Sequence, residues 1–195
     1  HHVGQAAAEA LVQARQDIAD CLGCTAREIY FTSGGSEADN QALRSAAYAG
    51  AKAGKKHIIS TAIEHHAILH TLKQLEEEGF SVTLLEVSDT GMVTPEQVAA
   101  AIRPDTCLVS IMFANNEIGT IEPIAEIGAV CREKGVLFHT DAVQAVGHIP
   151  VRLSELPVDM LSLSGHKFHG PKGVGVLFAR RGTALRSLIC GGAQE

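Results

Sequence analysis

Residues 161–173 read LSLSGHKFHGPKG, and residues 174–179 continue as VGVLFA. An apolar run therefore ends in a Ser-Gly-His-Lys turn, a glycine-rich loop follows, and a second apolar run closes the segment. Two strands joined in this way would hold Lys167 at a sheet end, beside small residues that let a ligand approach closely. An amine held there and partly removed from water forms imines with carbonyl compounds. An ordinary surface lysine is the alternative, and the neighbouring Ser164 and His166 favour the functional interpretation.

The rest of the chain alternates helical segments with apolar, strand-like runs. The patterns predict helices at residues 5–22, 36–53, 64–78, 95–102 and 123–134, and strands at residues 28–32, 56–60, 80–87, 106–113, 136–141, 160–164 and 174–179. This order is typical of an α/β protein with a mostly parallel mixed sheet and helices on both faces. The 195 residues suffice for one domain, which we expect to span residues 1–195.

Polar and small residues follow the predicted strands at their carboxyl ends. Gly35 and Ser36 open a helix, and Asn116, Asp141 and Lys167 each come just after a strand. Because such ends meet at one edge of a parallel sheet, we expect these residues to share one crevice. The glycine and serine at a helix start also predict an anion site, since free N–H groups and the helix dipole favour a phosphate there.

Individual residues in this crevice keep two interpretations. Asp141 either caps the following turn or pairs with a buried cation, such as a protonated pyridine nitrogen. Asn116 is either a turn residue or, like Gln144, a donor to a ligand oxygen. His65 lies at the start of a predicted helix, nearest the crevice.

Composition and charge narrow the possible functions. The formal net charge of −6 does not favour a nucleic-acid partner, and no apolar run approaches the ~20 residues of a membrane helix. Five cysteines, an odd number, and no visible secretory signal predict a reducing, cytoplasmic setting. The pair Cys21 and Cys24 has CxxC spacing, but it falls at a helix end, which favours structural thiols.

A histidine pair offers a different class of function. His66 and His70 stand four residues apart on a predicted helix, the spacing of two metal ligands on one face, with Glu64 and His65 as further candidate ligands. The pattern is not HExxH, so a zinc hydrolase is disfavoured. A metal-binding or scaffold protein using His66 and His70 remains an alternative, and otherwise we expect no metal.

Several motifs, taken together and in order, resemble the cysteine desulfurases. These are pyridoxal-phosphate (PLP) enzymes of aminotransferase class V with the type I PLP fold, in the branch that serves iron–sulfur and nitrogenase cofactor assembly. The motifs cover nearly the whole chain: SGGSEADN at 33–40, EHHA at 64–67, NNEIG at 115–119, DAVQ at 141–144 and SGHKFHGPKG at 164–173.

The resemblance implies a role for each matching residue. Lys167 would hold PLP as an imine and move protons, Asp141 would pair with the pyridinium nitrogen, and His65 would stack on the ring and assist proton transfer. Asn116 and Gln144 would contact the bound substrate and the phenolic oxygen of the cofactor.

The same resemblance implies the phosphate site, the substrate and the partners. Gly35, Ser36, Ser164 and His166 would bind the phosphate. The substrate would be L-cysteine, whose sulfur passes to a protein thiol as a persulfide while alanine leaves. The partners would be a sulfur-acceptor or scaffold protein and, in the full-length protein, a second copy in a homodimer.

Departures from the family pattern limit this expectation. We expect the chain to be the PLP-binding large domain, truncated at both ends, with the small C-terminal domain absent. The persulfide-forming cysteine and the carboxylate-binding arginine of the family would then be missing, so the fragment alone would be inactive. Another class V activity, such as a selenocysteine lyase or an aminotransferase, is a second alternative.

Overall fold

The computed structural model describes residues 2–191, so the outermost ends of the predicted domain, at residues 1 and 192–195, lie outside it. Five α-helices are described: α1 (His2–Leu22), α2 (Gly35–Lys52), α3 (His66–Glu77), α4 (Pro95–Ala101) and α5 (Ile124–Lys134). The strands are β1 (Ile29–Thr32), β2 (His57–Thr61), β3 (Ser81–Leu85), β4 (Thr106–Ser110), β5 (Leu137–Asp141), β6 (Met160–Ser164) and β7 (Gly175–Ala179). Short 3₁₀ helices cover Ala26–Glu28 and Gly165–Phe168. Each predicted helix and strand therefore exists, with ends shifted by a few residues.

The strands within residues 2–191 form one sheet in the order β1-β7-β6-β5-β4-β2-β3. The pairs from β6 to β3 are parallel, whereas β7 runs antiparallel to both β6 and β1. The predicted mostly parallel mixed sheet is thus confirmed. The direction of β7 has a simple cause, because the short segment from Gly165 to Val174 cannot make the crossover of a dozen or more residues that a parallel neighbour needs.

Both faces of the sheet are covered by helices, as predicted. On one face α2 and α3 pack on a buried cluster that includes Ile58, Leu108 and Leu177. On the other face α1, α4 and α5 pack on a larger cluster to which the next residues in the same strands contribute. Successive side chains of a strand point to opposite faces, so the unbroken apolar runs in the sequence reflect burial on both sides.

Local signals explain several helix ends. The Thr94 hydroxyl accepts the Gln97 N–H at 3.2 Å and Pro95 begins α4, which is the predicted N-cap arrangement. Gly135 ends α5 with φ of 63°, in the left-handed region that favours glycine. Within the described part of the chain, no helix is both long and apolar enough to cross a membrane.

Candidate active site

A cavity of about 220 Å³ lies where strands β5 and β6 end and helix α2 begins. Every residue that the sequence analysis proposed for the site lines this cavity: Gly35, Ser36, His65, Asn116, Asp141, Gln144, Ser164, His166 and Lys167. Asp39, Met112 and Val143 line it as well. The floor is buried, with Asp39, Asp141 and Ser164 at most 5% exposed, whereas Ser36 and Lys167 stand at an exposed rim.

The amino end of α2 forms one wall of the cavity. The N-cap residue of α2 is Gly34, which has no side chain. Its position therefore provides no side-chain acceptor for the first N–H groups of the helix. A Cβ on Gly35 would lie 2.6 Å from Val143 Cγ2, so only glycine lets the helix start come this close to the loop after β5. Ser164 Oγ and His166 Nδ1, 3.0 Å apart, add polar groups beside this helix end.

His65 is fixed at the start of α3. It is the N-cap residue, and its Nδ1 accepts the Ala67 N–H at 3.1 Å. The proton of the neutral ring is therefore on Nε2, which remains available as a donor. The sequence predicted a helix from residue 64, and the structure begins α3 two residues later because the His65 side chain caps it.

Asp141 ends β5 and is held from several directions. Its carbonyl oxygen accepts the Phe113 N–H at 2.8 Å, and its Oδ1 accepts the Val143 N–H at 2.9 Å. Burial raises the pKa of the Asp141 carboxyl, while the Val143 N–H, the nearby His65 ring and the Lys167 charge act to lower it. This carboxyl therefore faces the basic groups of the same cavity.

Lys167 lies in the 3₁₀ helix Gly165–Phe168 rather than in an irregular turn. The base of the loop is closed because the Gly165 N–H donates to the Val174 carbonyl at 2.9 Å, and the Gly170 N–H donates to the Gly165 carbonyl at 2.9 Å. A Cβ on Gly170 would lie 2.7 Å from that Gly165 oxygen, which explains the glycine. The Gly-Pro-Lys-Gly segment thus supports the turn that carries the lysine.

Sequence reasoning missed the polar residues beneath the cavity. Asp39 is three residues after Ser36, so helical spacing places the two on the same side of α2, and this was the signal available in the sequence. His139 is fully buried within β5, where the sequence pattern indicated only a strand residue. Glu64, considered only as a metal ligand, is buried and accepts the Met112 N–H at 3.0 Å and the Thr61 hydroxyl at 2.8 Å.

The structure gives little support to the alternative metal site at His66 and His70. The rings of His66 and His70 lie 5.2 Å apart between centroids on exposed helix residues. Among residues 2–191, no group of three or more His, Cys, Asp or Glu side chains is arranged to hold a metal ion. All five cysteines are free thiols, and Cys21 and Cys24 lie at and just beyond the end of α1, as expected from the sequence.

The groups around the cavity fit a phosphorylated pyridine aldehyde. A phosphate matches the amino end of α2 together with the Ser36, Ser164 and His166 side chains. A protonated ring nitrogen matches the Asp141 carboxyl, and a carbonyl carbon matches the Lys167 amine. The donor set therefore offers a partner for each reactive end of PLP.

Comparisons with known proteins identify the family of this chain. Residues 1–194 match the sequence profile of the family described as Aminotransferase class-V. Cysteine desulfurase IscS of Methanosarcina thermophila is 54% identical over 195 residues, which are 100% of this chain and 48% of that protein. Cysteine desulfurase IscS of Clostridium botulinum (strain Kyoto / Type A2) is 57% identical over 182 residues, which are 93% of this chain and 46% of that protein.

Solved structures show the same fold at similar coverage. A structure described as a NifS-like protein superposes with a TM-score of 0.96 at 44% identity, over 100% of this chain and 53% of that chain. A structure described as SspA in complex with cysteine gives a TM-score of 0.96 at 43% identity, over 100% of this chain and 56% of that chain. The chain spans about half the length of the curated relatives that it matches. It belongs to the PLP-dependent aminotransferase class V family, and the two curated relatives that it resembles are both named cysteine desulfurases.

Proposed function

We propose that this chain is the PLP-binding domain, residues 1–195, of a cysteine desulfurase that supplies sulfur for iron–sulfur cluster assembly. The observation that carries the proposal is a single cavity lined by the Lys167 amine, the Asp141 carboxyl, the His65 ring and the amino end of α2. The names of the matched relatives support the choice of reaction.

The overall reaction converts L-cysteine and a protein thiol to L-alanine and a protein persulfide. The bond between Cβ and sulfur of the substrate breaks, a sulfur–sulfur bond forms on the acceptor, and the substrate carbon takes up the proton that the acceptor thiol gives up. PLP, when bound, supplies the electron-withdrawing ring that accepts the electron pair released at the substrate Cα. Every other task falls to side chains of the protein.

The phosphate end is bound by the rim beside α2. The first N–H groups of this 18-residue helix, together with the Ser36 and Ser164 hydroxyls and the His166 ring, would donate hydrogen bonds to the phosphate oxygens. Gly35 matters through its lack of a side chain, since any Cβ would push the helix start away from Val143. This end fixes the position of the ligand and takes no part in bond breaking.

The reacting end is served by three side chains. Lys167 would provide the amine that holds the cofactor through its carbonyl carbon, and it would move protons at the substrate. Asp141 holds the proton of the ring nitrogen, since its carboxyl is buried while facing positive charge. His65 would stack on the ring and assist proton transfer through Nε2, because its Nδ1 accepts the Ala67 N–H.

Asn116 and Gln144 complete the site as amide donors. Both line the cavity, and both come from loops that follow strands β4 and β5. We assign Asn116 to the bound substrate and Gln144 to the phenolic oxygen of the cofactor. Neutral amides suit these contacts because they orient an oxygen without adding a charge.

The acceptor thiol and the assembly are part of the same proposal. None of the five cysteines lines the cavity. We therefore propose that the sulfur-accepting cysteine is not one of these five residues. A sulfur-acceptor protein, a homodimer of the full-length protein and a cytoplasmic location complete the proposal. The free state of all five thiols favours that location.

Cofactor binding is tested by adding PLP to the purified chain and recording the absorbance of the lysine imine. We expect the band in the parent protein and its loss in Lys167→Ala. Lys172→Ala is the matched control, because Lys172 is an exposed lysine of the same loop that does not line the cavity. Identical spectra for the parent and Lys167→Ala would contradict the assignment.

Product analysis on the full-length protein tests the reaction itself. Cysteine desulfuration yields alanine and a persulfide in equal amounts, whereas an aminotransferase yields a keto acid. Preferential turnover of selenocysteine over cysteine would point instead to a selenocysteine lyase.

A further inference from the structure

A row of buried polar side chains crosses the sheet beneath the cavity. The His139 ring is fully buried, with Nδ1 2.9 Å from Ser110 Oγ and Nε2 2.9 Å from Ser162 Oγ. Asp39 of α2 lies over this row, 1% exposed, with Oδ1 3.7 Å from His139 Nε2. Asp39 also lines the cavity, so the row connects the interior of the sheet to the floor of the site.

The Asp39 carboxyl has poor compensation for a negative charge. Its Oδ1 is buried and has no hydrogen-bond partner, and the nearby Ser162 hydroxyl is the main group that favours the ionised form. Its basic neighbour His139 is neutral at physiological pH, because burial lowers the pKa of that ring to about 3. A buried carboxylate without a cation or several donors is strongly disfavoured relative to the neutral acid.

Asp141 differs from Asp39 in each of these respects. Its Oδ1 accepts the Val143 N–H at 2.9 Å, and the neighbouring His65 ring and Lys167 ammonium favour its ionised form. The two carboxyls sense each other, since the charge of Asp141 acts against ionisation of Asp39. Two neighbouring buried carboxyls share charge unequally, and the one with the better partners ionises first.

We propose that Asp39 is the neutral acid of a buried carboxyl pair and that the single negative charge of the pair therefore resides on Asp141. The row Ser110–His139–Ser162 lies beside Asp39 in the interior of the sheet and supplies no positive charge. The site then presents one carboxylate to one ring cation, an assignment that rests on the proposed function for the identity of that cation.

A few polar and ionisable groups determine which carboxyl of the pair carries the negative charge. Asp39 on α2 faces Asp141 and His139 of β5, Ser162 of β6 and, more distantly, Glu64 before α3. Burial raises the pKa of the Asp39 carboxyl well above its ordinary value, followed in effect by the charge of Asp141, then that of Glu64. Lys167 and His65 act on the Asp141 side of the pair.

The direct test is a carboxyl-carbon NMR titration of the unmodified chain without PLP, with Asp39 and Asp141 resolved. We expect Asp39 to stay protonated at pH 7 and Asp141 to ionise at lower pH. In Asp141→Asn, the Asp39 titration moves down by about one pH unit or more, since a like charge has been removed. In Asp39→Asn, the Asp141 titration moves little, because one neutral group replaces another.

The opposite pattern would overturn the proposal. If Asp39 is the ionised member at pH 7, Asp39→Asn shifts the Asp141 titration downwards, and Asp141→Asn leaves Asp39 where it was. The titration of the unmodified chain decides the matter even if a variant fails to fold.

A second measurement separates this proposal from the proposed function. The pH dependence of PLP absorbance in Asp39→Asn should follow that of the parent, because the charge of the pair is unchanged, and a displaced profile would contradict the neutral state of Asp39. Should the parent chain bind no PLP at all, the proposed function fails, while the NMR titration still decides which carboxyl carries the charge.

Discussion

The two faces of the central sheet differ most where β5 and β6 end. One face carries Phe138, Leu161 and Leu163 into the apolar cluster beneath α1, α4 and α5. The other face carries His139, Asp141, Ser162 and Ser164 towards α2, where the cavity opens. The same two strands thus build a core and a site by the alternation of side chains alone. Changes on the first face should alter stability, and changes on the second should alter binding or pH dependence.

The largest expected effect is on the apolar face. Phe138 is fully buried, and Phe138→Ala should lower the free energy of unfolding by about 3–5 kcal/mol, because transfer energy is lost and a cavity remains. Urea denaturation measures this change. PLP absorbance recorded on the folded variant should match that of the parent, and a selective loss of binding at full stability would break the comparison.

On the polar face, Asp141→Asn should weaken PLP binding without a comparable loss of stability. A hydrogen bond to a charged group contributes about 1.5–3 kcal/mol, which corresponds to roughly 10- to 100-fold in affinity. The asparagine oxygen still accepts the Val143 N–H, so the strand end is preserved. Fluorescence or absorbance titration with PLP gives the affinity, and unchanged affinity would remove Asp141 from the ring-nitrogen role.

Glu64, a buried carboxyl, should make the stability of the protein depend on pH, whereas an apolar core residue has no such effect. Burial raises the pKa of this carboxyl from 4.5 to about 8. Between these values the unfolded chain ionises while the native chain keeps its proton, so stability falls as pH rises, by up to about 1.4 kcal/mol per pH unit. Below 4.5 and above about 8 this contribution no longer changes with pH.

Glu64→Gln removes this titration, so its stability profile should be flatter than that of the parent across the window. Urea midpoints measured at several pH values provide the check. Parallel profiles for the two proteins would show that Glu64 does not titrate there.

The smallest effect is expected at Ser110. Its hydroxyl lies 2.9 Å from His139 Nδ1, and Ser110→Ala should cost about 1 kcal/mol, the net contribution of one hydrogen bond. The matched position is Val109, the preceding residue on β4, whose side chain belongs to the apolar face. Val109→Ala should lower stability more than Ser110→Ala, and the reverse order would show that the polar row contributes more to the fold than the apolar contacts do.

Much of this arrangement is encoded locally and could be predicted. The helix start at Gly35, the strand end at Asp141 and the lysine turn each carry their own signals of glycine, charge and apolar runs. The direction of β7 and the position of β1 depend on pairing between distant segments, for which a single sequence gives no register. Asp39 and His139 were missed for a related reason, because a polar residue in a helix or strand shows its burial only when its neighbours across the sheet are known.

The closed base of the segment between β6 and β7 has a consequence for how this protein family varies. Because the Gly165 N–H bonds to the Val174 carbonyl, the excursion that holds Lys167 leaves and rejoins the sheet at one point. Gly170 is held by its own bond to the Gly165 carbonyl, but the exposed residues 171–173 lie beyond both bonds, so changes there should leave the strand register and the floor of the site in place.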